Sequence, residues 1–511
     1  MTLSRRQMLR AAAGGLVLAP LAGCSDGSPV GSGNGGTPGG ILDGLAVGGG
    51  ANVEAESSAG ALVRSTARLP QPFTVPLPIP PVLRPAGGGG ADDRYEITQR
   101  AAEVEILPGL RTQVWGYNGI FPGPTIVSRS GRQTVVRHRN ELPEPVVVHL
   151  HGGRTPAEHD GYPTDLIDPG GSFDYVYPLD QAAATLWYHD HRMQFTGPQV
   201  YKGLAGFHLV QDAQEDALPL PKGERDVPLM IVDRAFAEDG SMIYPDVHSD
   251  YISGVLGDVV LVNGAPWPLM EVDAARYRFR LLNASNARRY RLALDPAPPS
   301  GPAFVQVGSD LGLLSAPLPH DELQIASAER FDVIVDFSQY PVGQEVTMVN
   351  RLGDGGSANV MRFKVARRAA DDSSIPARLV EVRPLSPSDA VVERTFTFQR
   401  GSVQHEGMPM WTVNGQAFTP DTIAADPALG TVERWRLHAL NVYHPIHIHL
   451  APFQVLEPSP YATGWKDTVD LASGDQVEVL LRFEGYRGKY VFHCHNLEHE
   501  DMMMMANFQV R

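Results

Sequence analysis

The chain has 511 residues, 43% hydrophobic and 20% charged, an ordinary composition for a globular protein of about three domains. Its formal net charge of −16 argues against nucleic acid as a partner, because gripping phosphates needs clustered Lys and Arg. No apolar run of about 18 residues or more follows the N-terminal region, so no internal helical membrane span is expected.

Residues 1–24 read as an export signal. Ser4-Arg5-Arg6-Gln7-Met8-Leu9-Arg10 precedes an apolar run from Ala11 to Leu21 and resembles a twin-arginine signal; Leu21-Ala22-Gly23-Cys24 resembles a bacterial lipobox. The expectation is export to the periplasm or the outer face of the cell, with membrane attachment through a lipidated Cys24. The other cysteine is Cys494, so no intrachain disulfide is expected once Cys24 is removed or acylated. Residues 25–92 are rich in Gly, Ser, Ala and Pro and read as a flexible tether, with a surface-wrapping arm as the alternative.

A three-fold repeat follows. Its opening element is Tyr117-Asn118-Gly119-Ile120, then Val262-Asn263-Gly264-Ala265, then Val413-Asn414-Gly415-Gln416. A strand with alternating Arg comes after each: Val136-Arg137-His138-Arg139, Tyr277-Arg278-Phe279-Arg280 and Glu433-Arg434-Trp435-Arg436. Each unit closes on a short apolar strand, and period-2 runs bounded by Gly, Pro and Asp recur throughout. These are the marks of β-sandwiches, placed at 93–214, 225–368 and 390–511.

Four histidine clusters punctuate the first and third units: His149-Leu150-His151, His189-Asp190-His191, His444-Pro445-Ile446-His447-Ile448-His449 and His493-Cys494-His495-Asn496-Leu497-Glu498-His499. The slot in the second unit that corresponds to the late His pairs, Val346 to Arg351, has no His. A shared metal cluster is therefore expected between the first and third units, with the second as spacer. On a strand His493 and His495 share one face and Cys494 the other. Cys494 can then join His499, Met504 and one more His in a His₂Cys site with a weak axial Met, the pattern of an electron-transfer copper. A lone H-x-H is more simply two solvated strand residues, and Met504 lies in a run of four Met that could serve as packing. Zinc is the chemical alternative, but ten His with a single Cys is a poor structural zinc pattern.

The four clusters, in this order, resemble those of the three-domain multicopper oxidases over residues 95 to 511. The local text His149-Leu150-His151-Gly152-Gly153-Arg154-Thr155-Pro156 and His499-Glu500-Asp501 is similar to the spore-coat laccase and bilirubin oxidase branch. The resemblance implies an all-β protein of three tandem cupredoxin-like Greek-key sandwiches with four copper ions. It assigns His444, Cys494, His499 and axial Met504 to a type 1 copper and His149 and His447 to a type 2 copper. It assigns His151, His189, His191, His449, His493 and His495 to the binuclear type 3 pair.

The implied activity is one-electron oxidation of phenols, aromatic amines or similar small reductants, coupled to four-electron reduction of O2 to water, by a chain expected to be a monomer. Cys494 would pass electrons through the backbone to His493 and His495. Asp160 and Glu500 match proton-relay acids of that branch; the plainer readings are a turn residue before Gly161 and a surface acid. Bilirubin oxidases carry a Trp where this chain has Val442, which argues against bilirubin. A cuprous-ion oxidase is the enzyme alternative, although the chain lacks the long Met-rich insert of many such enzymes and offers only Met408-Pro409-Met410. An exported cupredoxin-fold scaffold is the non-enzyme alternative, which retention of every ligand opposes.

Overall fold

The Asn-Gly repeat of the sequence becomes a structural repeat. Asn118 and Gly119 have φ of 57° and 70°, Asn263 and Gly264 51° and 85°, Asn414 and Gly415 52° and 76°. Two successive left-handed residues make the tight turn that matches strand twist, and Asn-Gly adopts it at least cost. Each Asn side chain then accepts a backbone N–H from the preceding strand: Thr98 at 2.9 Å, Met230 at 2.8 Å and Thr397 at 2.7 Å. Those preceding strands each pair in parallel with the Arg-bearing strand that follows. The pairs are Asp93–Val104 with Thr134–Asn140, Asp226–Arg234 with Arg276–Asn283, and Ala390–His405 with Val432–Ala439.

The computed structural model describes residues 60–86, 90, 92–245, 253–405, 408–457 and 459–511, all within the unit Gly49–Arg511. Two four-stranded sheets carry the first repeat, a seven- and a five-stranded sheet the second, and two five-stranded sheets the third. The protein is all-β, three tandem Greek-key sandwiches of the cupredoxin type. Each sandwich is filled from its inner faces: Tyr117, Val148, Leu186 and Tyr188 in the first, Phe279, Phe337 and Phe363 in the second, Phe396, Trp435, Phe492 and Phe508 in the third. In the second sandwich the alternating Arg side chains are buried as well. Arg278 and Arg280 are matched there by Glu215, Asp226 and Asp332, without which such burial would be prohibitive.

Of the two readings of residues 25–92, the flexible tether is corrected and the surface-wrapping arm holds where the chain is described. Residues 60–86, within the stretch read as a tether, form an arm laid on the first two sandwiches. Ala61–Val63 pairs in parallel with Val255–Gly257. Farther on, Phe73 and Leu77 donate N–H groups to Trp267 and Leu269, and Leu83 donates to Thr125. The physical reason is that a Pro-rich extended chain leaves its backbone groups free for neighbours, while Leu69, Phe73 and Leu77 pack on the second core. The signal-like residues 1–24 and the stretch 25–59 lie outside the described residues. No helix among the described residues is long and apolar enough to cross a membrane.

Candidate metal centre

Four strands bring the histidines together. In the first sandwich Val148–His151 runs antiparallel to Ala184–Asp190, with His149 opposite His189. In the third, His444–Ile448 runs antiparallel to Gly488–Cys494, with His447 opposite His493. Alternation turns both rings of each H-x-H pair the same way, and the two sandwiches face each other. His149 stacks on His449 with ring centroids 3.8 Å apart, and His151 on His447 at 3.7 Å. None of these eight rings is more than 1% exposed.

The rings form overlapping trios whose potential ligand atoms lie within 4.8 Å of one another: His151, His189 and His495; His191, His449 and His493; His149, His151 and His447. In the second trio, Nε2 of His191 and of His449 lie 3.1 and 3.2 Å from Nε2 of His493. Nε2 of His149, His189 and His447, Nδ1 of His151 and both nitrogens of His495 are buried without a hydrogen-bond partner. Buried polar atoms are normally satisfied, so this concentration of inward nitrogens is the signature of a site built for metal. The outer nitrogens, by contrast, are held. His149 Nδ1 donates to the Asp160 carbonyl at 2.6 Å, His189 Nδ1 to that of Asp190 at 2.8 Å, and His447 Nδ1 to that of Asp467 at 2.8 Å. Such contacts fix tautomer and ring orientation. Burial pushes His189 down to about 3 and His191 to about 4, and holds His149, His151, His447, His449 and His495 well below the usual histidine range. All are neutral, ligand-ready imidazoles at neutral pH.

The second site lies on the opposite face of the same strand. Cys494 Sγ is 3.5 Å from Nδ1 of His444 and of His499, and those nitrogens are 3.2 Å apart. His499 sits on the short helix Leu497–Asp501, whose N-cap Asn496 accepts the His499 N–H. Met504 is tied in by its backbone: it donates its N–H to the His499 carbonyl at 3.0 Å and accepts that of Cys494 at 3.1 Å. Its side chain is buried in the same core as Cys494 and Trp411, and the Trp411 ring centre is 4.0 Å from that of His499. Burial pushes the Cys494 thiol well above its ordinary range, so a bound cation is what would hold the thiolate.

Both candidate acids touch the imidazole cluster. Glu500 accepts the Thr196 hydroxyl at 2.6 Å, and its oxygens lie 3.4 Å from His191 Nδ1 and 3.2 Å from His493 Nδ1. Burial would raise this carboxyl, but the His191 and His493 rings outweigh it and hold it below the carboxylate range. Asp160 is the turn residue the sequence allowed, and its carboxyl group also reaches the cluster. It ends the turn Ala157–His159 before Gly161, whose φ is +78°, and its Oδ2 accepts from His449 Nδ1 at 2.7 Å. Burial holds it well above the usual range, opposed by the Thr155 hydroxyl. Two neighbours carry no sequence signal of their own: Asp467 lies 3.2 Å from His151 Nε2, and Arg330 of the second sandwich grips Asp467.

One thiol with imidazoles, and a second set of imidazoles alone, suit copper rather than an oxygen-seeking ion. A family model described as multicopper oxidase matches residues 98–215, and a second so described matches residues 388–511. A laccase of Bacillus stratosphericus is 38% identical over 86% of this chain and 99% of its own length. A bilirubin oxidase of Albifimbria verrucaria is 38% identical over 85% of this chain and 81% of its own. The crystal structure of a laccase from Pediococcus acidilactici superposes with a TM-score of 0.79 at 32% identity, covering 88% of this chain and 96% of that one. The fold and donor sets thus define a copper protein of the three-sandwich type. The chain belongs to the multicopper oxidase family: it is a copper-dependent oxidoreductase that oxidises a substrate with O2 as acceptor.

Proposed function

We propose that the protein is a laccase-like oxidase of phenols, aromatic amines or similar small reductants. The observation that carries this reading is the pairing of a Cys494-His444-His499 site with an eight-imidazole cluster through adjacent residues of one strand. In this reading His444, Cys494, His499 and Met504 hold a type 1 copper. His149 and His447 hold a type 2 copper, and His151, His189, His191, His449, His493 and His495 hold the type 3 pair. Copper, when bound, supplies the one-electron steps and the four-electron reduction of O2.

The chain supplies the rest. Cys494 is joined to His493 and His495 by single peptide links, so the route between the sites is covalent. Glu500, touching His191 and His493, hands protons to one side of the cluster; Asp160, touching His449, serves another. Burial of every ring excludes bulk water. The protein is exported through its N-terminal signal and held at the membrane by a lipidated Cys24, and it works as a monomer.

Oxygen uptake against a panel of a phenol, an aromatic amine, bilirubin and Cu(I), with copper content measured on the same sample, tests the reading. Turnover of the phenol or amine with about four coppers per chain is expected. Preference for Cu(I) over every organic donor would favour the cuprous-oxidase alternative, and a copper-free, inactive chain the scaffold.

A further inference from the structure

Two aspartates brace the imidazole cluster from opposite sides, and they do so in the same manner. Asp160, in the first sandwich, gives its carbonyl to His149 of that sandwich at 2.6 Å and its carboxylate to His449 of the third at 2.7 Å. Asp467, in the third sandwich, gives its carbonyl to His447 of that sandwich at 2.8 Å and its carboxylate to His151 of the first at 3.2 Å. Each aspartate therefore serves one stacked pair, His149 on His449 or His151 on His447, and each pair joins the two outer sandwiches.

The braces differ in what holds them. The Asp160 carboxylate has the Thr155 hydroxyl at 3.4 Å. The Asp467 carboxylate accepts the Thr468 hydroxyl at 2.8 Å and is gripped through both oxygens by the guanidinium of Arg330. Arg330 belongs to the second sandwich and is wholly buried. Its remaining N–H groups donate to Thr185 of the first sandwich at 3.0 Å and to Ala328 and Asp310 of its own at 2.9 and 3.1 Å. One planar fork thus touches all three sandwiches, a geometry no lysine reproduces. Gly152, directly after His151, makes room for it: at a φ of +85°, an added Cβ would lie 2.8 Å from Arg330 Nη2 and 2.9 Å from Asp467 Oδ2.

We propose that Asp467, locked by Arg330, is a positioning residue of the copper cluster, turning Nδ1 of His151 and Nε2 of His447 inward. The second sandwich, which supplies no imidazole to the cluster, completes the site through that arginine. The free inward atoms match: His151 Nδ1 and His447 Nε2 are the nitrogens left without partners. The inference rests on copper occupying the cluster, which the copper content of the unaltered protein tests separately.

The test is Asp467→Asn, of equal size but with one acceptor oxygen replaced by a donor, so that it cannot receive both His151 and the full arginine fork. The blue band per chain should persist, showing the third sandwich intact. The type 2 copper signal in electron paramagnetic resonance should shift or vanish. Copper release to a chelator should speed by about 10–100-fold, the usual cost of losing a contact behind a metal ligand. Arg330→Lys should move the same signals, because a point charge cannot span the same acceptors. Arg330→Met should be no worse when combined with Asp467→Asn, because the arginine acts through that carboxylate. An Asp467→Asn protein with the type 2 signal and chelator release of the unaltered protein would overturn the proposal. So would fully additive losses in the double variant. Should Asp467→Asn fail to fold, Arg330→Lys carries the same two readouts.

Discussion

Glu500→Gln separates electron entry from proton delivery. The glutamine keeps the size of the side chain and an oxygen for the Thr196 hydroxyl, which donates at 2.6 Å, so the helix Leu497–Asp501 and the neighbouring Cys494 site should stand. What disappears is a group that can carry a proton between His191 and His493, 3.4 and 3.2 Å away. General acid-base groups contribute roughly 10²–10⁴ in rate. The Glu500 side chain is only 1% exposed, so water has little access to replace it and the upper part of that range is expected, about 10³–10⁴ or some 4–5.5 kcal/mol of barrier. The assay has two arms on copper-replete protein. Bleaching of the blue band by a reductant without O2 should run at the normal rate, while return of the band on adding O2, and steady oxygen uptake, should fall by that factor. Steady-state uptake within about three-fold of the unaltered enzyme would refute the assignment, and equal slowing of bleaching would show that the glutamate serves the wrong half of the reaction.

Further outcomes follow from the same geometry. Cys494→Ser should remove the blue band and turnover together while far-ultraviolet circular dichroism stays that of the folded sandwiches; substantial oxygen uptake in that variant would break the proposed electron route. Gly152→Ala should destabilise by about 2–5 kcal/mol, from about 1–2 for a left-handed non-glycine residue and about 1–3 for overpacking against Leu186, Arg330 and Asp467, read from denaturant unfolding. Away from the metal ligands, burial pushes His138 and His208 down to about 3. Both rings stay neutral in the fold and gain protons on unfolding, so their contribution to stability is complete above about pH 6.5 and is lost as pH falls from there towards 3, by about 1.4 kcal/mol per pH unit for each ring. Unfolding free energies from pH 7 to 5 should slope less steeply by that amount in His138→Gln, and an unchanged slope would contradict the burial argument.

Much of this was readable along the chain because the information is local. Asn-Gly turns, period-2 strands and H-x-H pairs each declare themselves within a few residues, and the absence of His from Val346 to Arg351 already pointed to a cluster between the outer sandwiches. Asp467 and Arg330 were not readable. Each is one charged residue within or next to a strand, 137 positions apart in sequence, and only packing of all three sandwiches brings them together. Asp160 looked like a turn residue because it is one; the bond from its carboxylate to His449, 289 positions away, has no local trace. The arm at 60–86 was read as a tether for a related reason. Composition reports that a segment builds no core of its own, and is silent on whether a neighbouring surface exists for it to lie on.

The 302 residues that separate His191 from His493, next to Cys494, have a consequence for biosynthesis. A ribosome synthesising this polypeptide releases two of the imidazole pairs long before the decisive thiol. Until the stretch around Cys494 emerges, neither metal centre can assemble, so a product cut short before it should leave the ribosome colourless and unable to spend oxygen.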